Sequence, residues 1–428
     1  MAACQKHQTI ETKDSEQSTS EKKTEQEETT EKEESAPAKD EQVTINYYGK
    51  PNEELELKII ESFESEYPNI KVNYIALTGG SNDKLQAIQT ILQAQDDSMD
   101  LFAADATWPT IFTAAGWVVP YDEIPNALEG NIIDNYMTTE NFMQNGQVYG
   151  IPFQANVGAL FYRKDLLEKY NLSVPTTWDK LKEAANVIMA GEDNPNLVGY
   201  AAGWKQSEGL SCVVLEYMWP NGMDIVKDGK VDIDEEQMEK SIQFMVNLMD
   251  EGISPEKMPT YGSEHRALYK SGNLIFARDW VTSTTKHFLN PEGNEYYDKT
   301  GVAIMPGGHG TLGNWGLMIS KYSNNKEAAA TFAKYRASKE SLLLQNDMIG
   351  ALPTIESSYD DVGLEERLLG YKDEIFEVVK TSKSRPITPY WGEVSQIIQV
   401  QVHSAISGLI TSEEAATSIK EEITRIID

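Results

Sequence analysis

From residue 43 onward the chain switches between two periodicities. Val43-Thr-Ile-Asn-Tyr-Tyr-Gly gathers β-branched and aromatic residues in a short run closed by Gly49, which predicts a strand. Leu55, Ile59, Ile60 and Phe63 then recur at helical spacing, Pro68 stops that segment, and Ile70, Val72, Tyr74 and Ala76 alternate as a second strand. Strand, helix and strand in so short a stretch predict a parallel crossover. A further helix carries Leu85, Ile88, Ile91 and Leu92 on one face, and Asp100-Leu-Phe-Ala-Ala-Asp105 follows as a strand. This opening region reads as α/β with a parallel sheet.

The alternation resumes after Ile151. Thr176 with Asp179, and Asn324 with Glu327, have the spacing of a capping box ahead of apolar helical segments. Gly191-Glu-Asp-Asn-Pro-Asn and Ser254-Pro-Glu-Lys-Met-Pro are turn-rich breaks, and Ile397, Ile398, Val402 and Ile406 form a helical stripe near the end. Residues 5–42 show neither period. They are Glu, Lys, Thr, Ser and Gln with hardly an apolar side chain, so burial cannot offset the entropy of ordering them. As a coil this stretch reaches about 35 Å, a solvated tether.

At 428 residues the chain exceeds one ordinary core, and two folded domains are the simplest fit. Its 37 basic and 68 acidic residues give a formal charge of −31, which repels nucleic acid and anionic membrane. No run approaches the roughly 20 apolar residues of a membrane span. Two cysteines, Cys4 and Cys212, make neither a disulfide framework nor a zinc spacing, and Cys212 sits in an apolar run as a buried hydrophobe. Cys4 follows two alanines, as in a processed bacterial lipoprotein, and is the expected lipid anchor.

Motifs for chemistry are mostly missing. The five histidines are scattered, with no His-Glu-x-x-His pair, no Gly-x-Ser-x-Gly elbow and no Gly-Lys-Ser/Thr phosphate loop. Gly308-His-Gly-Thr-Leu-Gly matches the dinucleotide pattern by letter, but a strand-like run follows it where that site needs a helix. No metal or cofactor site is expected. Tryptophan recurs in turn-like contexts: Thr107-Trp-Pro, Ala202-Gly-Trp-Lys, Arg278-Asp-Trp, Gly313-Asn-Trp-Gly and Pro389-Tyr-Trp-Gly. Flat aromatic faces beside polar residues suit a sugar, which offers an apolar C–H face and a rim of hydroxyls.

Several stretches, in order from about residue 43 to the end, resemble the extracellular solute-binding proteins for sugars of bacterial ABC importers, closest to their trehalose/maltose branch. They include Asp105-Ala-Thr-Trp, Ala115-Gly-Trp-Val-Val-Pro-Tyr-Asp-Glu, Ile151-Pro-Phe-Gln-Ala-Asn, Tyr162-Arg-Lys-Asp-Leu-Leu-Glu-Lys-Tyr, Trp204-Lys-Gln-Ser-Glu-Gly, Ala277-Arg-Asp-Trp, Leu312-Gly-Asn-Trp-Gly and Arg385-Pro-Ile-Thr-Pro-Tyr. The resemblance implies the periplasmic-binding-protein-like α/β fold, two α/β lobes joined by a hinge of crossing connections with the ligand cleft between them. One lobe would take residues 43–152 and about 312–352, the other about 153–311 and 353–428, with 1–42 as the tether.

Carried over by position, the resemblance makes Glu53 and Asp105 hydroxyl acceptors, Trp280 and Trp315 stacking faces, and Arg385 a bridge to hydroxyls or a brace for a carboxylate. Trp108, Trp204, Glu208 and Asn314 complete the expected ligand set, together with Gln154 and Asn156. The last two stand where the branch often has an aromatic and an aspartate, and Thr282 replaces an aromatic near Trp280. The expected ligand is a disaccharide or short oligosaccharide, an α-glucoside first, and no residue is assigned a catalytic role. The partners would be the transmembrane subunits of an ABC permease, reached by a monomer lipid-anchored on the outer face of the cell membrane. A surface glycoside hydrolase and a sugar sensor without transport are the competing functions.

Overall fold

The computed structural model describes residues 42–129 and 132–427, so the expected tether and its anchor Cys4 lie outside the described residues. Within them two sheets organise the chain. The first runs Ile70–Ala76, Val43–Gly49, Leu101–Asp105, Trp315–Ser320, Val118–Val119, with Ile151–Gln154 also paired to Trp315–Ser320. Its first three strands are parallel, and Trp315–Ser320 enters antiparallel to Leu101–Asp105. Leu101–Asp105 is buried along its whole length: Leu101 and Ala103 join one core, Phe102 and Ala104 the other. A strand covered on both faces has to read as an apolar run, as this one does.

The second sheet runs Thr300–Ala303, Gly158–Arg163, Leu274–Trp280, Val198–Ala201. Helices Trp178–Gly191, Glu208–Met218, Glu235–Asp250 and Trp391–Ile406 contribute to its core. The two sheets are the centres of two α/β lobes.

Three crossings connect the lobes side by side. Ala155 bridges Leu352, Val157 bridges Leu312, and Thr311–Leu312 pairs in parallel with Lys383–Ser384. A buried ion pair braces each lobe. Arg336 donates twice to Glu56 at 2.9 Å and once to Gln345 at 2.6 Å, joining three helices of the first lobe. Arg278 donates to Glu216 at 3.0 and 2.7 Å, and Glu216 also accepts the backbone N–H of crossing residue Thr311 at 2.9 Å.

Both capping positions move by one residue. Thr177, not Thr176, caps Trp178–Gly191, its side chain accepting from the Lys180 N–H at 3.3 Å. Asn325, not Asn324, precedes Lys326–Arg336 and makes no side-chain cap bond. After Gly308-His-Gly-Thr-Leu-Gly comes the strand Trp315–Ser320, so no helix N-terminus stands where a dinucleotide would need one.

Candidate ligand-binding site

Sheet register puts the site's residues in place. Trp315 stands opposite both Asp105 and Gln154, and Lys50 directly follows the strand Val43–Gly49, so these four share one end of the first sheet. In the second sheet Trp280 stands opposite Gly158, at the end where the crossing strand arrives. Open α/β sheets leave room for ligands beyond the carboxyl ends of their strands.

A cavity of about 390 Å³ opens there between the lobes. Lys50, Lys84 and Gln154 line it from the first lobe, Arg266, Thr282, Ser283, Lys286 and His287 from the second, and Ala351 from a crossing. Arg266 also lines a neighbouring cavity of about 200 Å³ together with Tyr261, Asp279 and Trp280. Among the described residues no cluster of three or more His, Cys, Asp or Glu side chains is placed to hold a metal ion, and no helix is long and apolar enough to cross a membrane.

Lys50 is mostly buried. Its Nζ donates to Gln154 Oε1 at 2.7 Å and lies 4.4 Å from the centre of the Trp315 ring. Burial pushes its pKa down, with Asp105 opposing only in part, to about 7. Asp279, at the end of strand Leu274–Trp280, accepts from His265 at 2.9 Å, from Arg266 at 2.6 and 3.0 Å and from Ser283 at 3.0 Å. Burial by itself would raise its pKa, but His265 and Arg266 outweigh it and hold the carboxyl well below the usual range. His287, 3.3 Å from Arg266 Nη1, is pushed down by burial and then by the Arg266 charge.

Arg385 joins the lobes. Its Nη2 donates to Asp105 at 2.7 Å and its Nη1 to Glu208 at 2.8 Å, and all three side chains are buried or nearly so. Asp105 uses the same oxygen to accept from the Thr107 N–H and hydroxyl. Glu208 also accepts from Trp391 Nε1 at 2.9 Å and from the Ser395 hydroxyl. Of the roles expected for Arg385, the brace for carboxylates is the one this geometry displays.

The remaining candidates divide. Trp280 and Trp315 are partly exposed, one at each sheet end. The Arg278 guanidinium lies 4.3 Å from the Trp280 ring, and a Cβ on Gly313 would stand 2.9 Å from that ring, so Trp280 sits closely against the crossing strand. Asn156 Oδ1 accepts from the Thr282 N–H at 3.3 Å beside the cavity, and Glu53 is exposed in the first turn of its helix, one residue beyond the cavity wall.

Three of the expected residues are buried. Trp108 is buried, edge-on to Trp315 at 5.3 Å; Trp204 is fully buried near Tyr217; neither offers an open face. Asn314 is also fully buried, its amide donating to Thr138 O at 2.9 Å and Thr138 Oγ1 at 3.0 Å. Sequence reasoning missed Lys50, Lys84, Arg266, Lys286, His287 and Asp279. Only Lys50 carried a signal, its place just past the first strand; the others come together through the tertiary fold.

Known proteins add the family. Bacterial extracellular solute-binding proteins match residues 48–342. A probable ABC transporter-binding protein of Deinococcus radiodurans is 26% identical over 373 residues, covering 83% of this chain and 86% of its own. A mannitol-binding protein of Pseudomonas aeruginosa is 24% identical over 299 residues, 66% of this chain and 65% of its own. The solved structure of maltose-bound T. maritima MalE3 aligns over 90% of this chain and all of its own, with TM-score 0.79 and 31% identity. With most of its length matched by the family and its two lobes enclosing a cleft, this chain is a bacterial extracellular solute-binding protein.

Proposed function

We propose that this chain is the carbohydrate-binding component of an ABC importer, capturing a disaccharide or short oligosaccharide and handing it to the membrane permease. The observation that carries this is a pair of partly exposed rings, Trp280 lining the smaller cavity and Trp315 beside Lys50 and Gln154 of the larger one, whose wall offers amide, hydroxyl and cationic side chains. Such a site stacks on a sugar's C–H face and donates to its hydroxyls. The 31% identity to a maltose-bound structure makes α-glucosides such as maltose and trehalose the first ligands to test.

In this reading Gln154, Asn156, Trp280 and Trp315 meet the ligand, Glu53 reaches it from the cavity's edge, and Arg385, Asp105 and Glu208 brace the lobes behind it. The lobes divide at 43–152 with about 312–352, and about 153–311 with 353–428. The chain works as a monomer outside the cell, held by a lipid on Cys4; fatty-acid labelling lost in C4A tests that anchor. Against a hydrolase stands the state of the nearby acids. A glycosidase needs two carboxyl groups flanking the bond, one of them free to give a proton, whereas Asp105 and Glu208 each pair with Arg385 and Asp279 with Arg266, which leaves Glu53 as the single acid of this set without an ion pair among the described residues.

The test is a thermal-shift screen of the purified protein against mono-, di- and oligosaccharides, with the sugar recovered and chromatographed. Ligand at about 100 times its Kd adds about 2.7 kcal/mol, a clear shift. A selective shift with the sugar intact is the expected result; a sugar returned cleaved, or no shift with any sugar, overturns the reading.

A further inference from the structure

The inter-lobe cavity has an unusual charge for this chain. A molecule of net charge −31 lines it with Lys50, Lys84, Arg266, Lys286 and His287 and with no carboxylate. Arg266 is already neutralised by Asp279. The three lysines are not: among the described residues none of Lys50, Lys84 or Lys286 has a carboxylate within 4 Å in an ion pair. Lys84 is buried to 9% exposure and spends its ammonium on the Gly79 carbonyl, while Lys50 spends its own on the Gln154 amide.

Holding Lys50 and Lys84 largely out of water with no paired acid is costly, and an anion in the cavity would offset that cost, while Lys286 stands exposed on the other lobe. Lys50 and Lys84 come from the first lobe and Lys286 from the second, so an anion held between them touches both lobes. Burial lowers the pKa of Lys50, with Asp105 opposing in part, to about 7, and burial likewise lowers that of Lys84, so an anion held among them would restore their charge.

We propose that the ligand is an anionic carbohydrate, whose carboxylate or phosphate ester lies among Lys50, Lys84 and Lys286 while its ring lies toward Trp280 and Trp315. This rests on the carbohydrate reading above and narrows it. Thr282, Ser283 and Gln154 supply the neutral hydrogen-bonding groups around the charge.

The experiment is isothermal titration of the whole protein with matched sugars: maltose against maltobionate, which keeps the glucosyl unit and adds a carboxylate, and glucose against glucose 1-phosphate and glucuronate. The acidic member of a pair binds about tenfold or more tighter, the scale of one charge-assisted hydrogen bond, and the preferred arm distinguishes carboxylate from phosphate. K286Q, at an exposed position, and K84Q each narrow that preference about tenfold; K286Q keeps the test sound if K84Q fails to fold. If neutral sugars bind and no acidic counterpart binds tighter, the anionic proposal falls and the carbohydrate reading stands. If neither kind binds, both fall.

Discussion

Replacing Arg385 with methionine removes the cation that holds a carboxylate from each lobe. Its two N–H···O contacts are 2.7 and 2.8 Å long, and the side chains of Arg385, Asp105 and Glu208 are 2%, 8% and 18% exposed. Breaking a buried ion pair by deleting one partner costs about 3–5 kcal/mol, because the other partner stays buried and charged. Here two acids are stranded, but both keep other donors: Thr107 for Asp105, Trp391 and Ser395 for Glu208. Glu208 is also partly open to water. These offsets place R385M at the low end, a loss of about 3 kcal/mol.

Urea unfolding at pH 7, followed by both tryptophan fluorescence and circular dichroism, checks this, since a two-lobed chain need not unfold in one step. The triple variant D105N/E208Q/R385M removes all three charges together and should regain much of the stability, a strongly non-additive cycle. A loss below about 1 kcal/mol in R385M, or a triple variant at the sum of its parts, refutes the idea that this bridge is a desolvated charge cluster.

Three further outcomes follow from particular side chains. Asp279 has a depressed pKa, so its stabilising effect is complete above the ordinary value of about 4 and fades as pH falls below it; D279N should flatten the acid limb of Tm against pH, and an unchanged limb counts against the pairing with His265 and Arg266. Burial pushes the Cys212 thiol up to about 12, so iodoacetamide at pH 8 should leave it unmodified in the folded protein and label it in guanidinium, read by mass spectrometry; prompt labelling of the folded chain contradicts its burial. In G158A the new Cβ meets Glu216 Oε1 and the Arg278 guanidinium, which should cost about 1–3 kcal/mol in denaturant; a neutral G158A would mean that the pair yields easily.

What could be read in advance followed from locality. Val43–Gly49, Glu53–Glu66 and Ile70–Ala76 were legible because each has a clear period and a stop, Gly49 or Pro68, within its own few residues. The cap at Thr176 missed by one because adjacent threonines offer the same chemistry, and only backbone geometry selects Thr177. Tryptophan context was less informative. Trp280 and Trp204 both sit in turn-like contexts, yet one reaches the cleft and the other is sealed inside, since neighbouring residues shape the chain's path and not the direction of a side chain. The cavity's lysines were illegible for a stronger reason: Lys50 and Lys286 are separated by most of two lobes and meet only after folding.

The placement of charge explains why such a cleft can respond to a ligand. Glu56–Arg336 and Glu216–Arg278 each lie inside one lobe and resist any change within it. Between the lobes, Arg385 and short crossing strands provide backbone and ionic ties near the hinge, while the cavity wall beyond them presents ammonium groups without acids. Under the anionic proposal, closure of the lobes on an empty cavity would bring Lys50 and Lys84 toward Lys286 against their mutual repulsion. An anionic ligand turns that same approach into attraction. Such a ligand would favour the closed arrangement by the energy of this reversal, since a ligand shifts a conformational equilibrium only by the difference in its affinity for the two states.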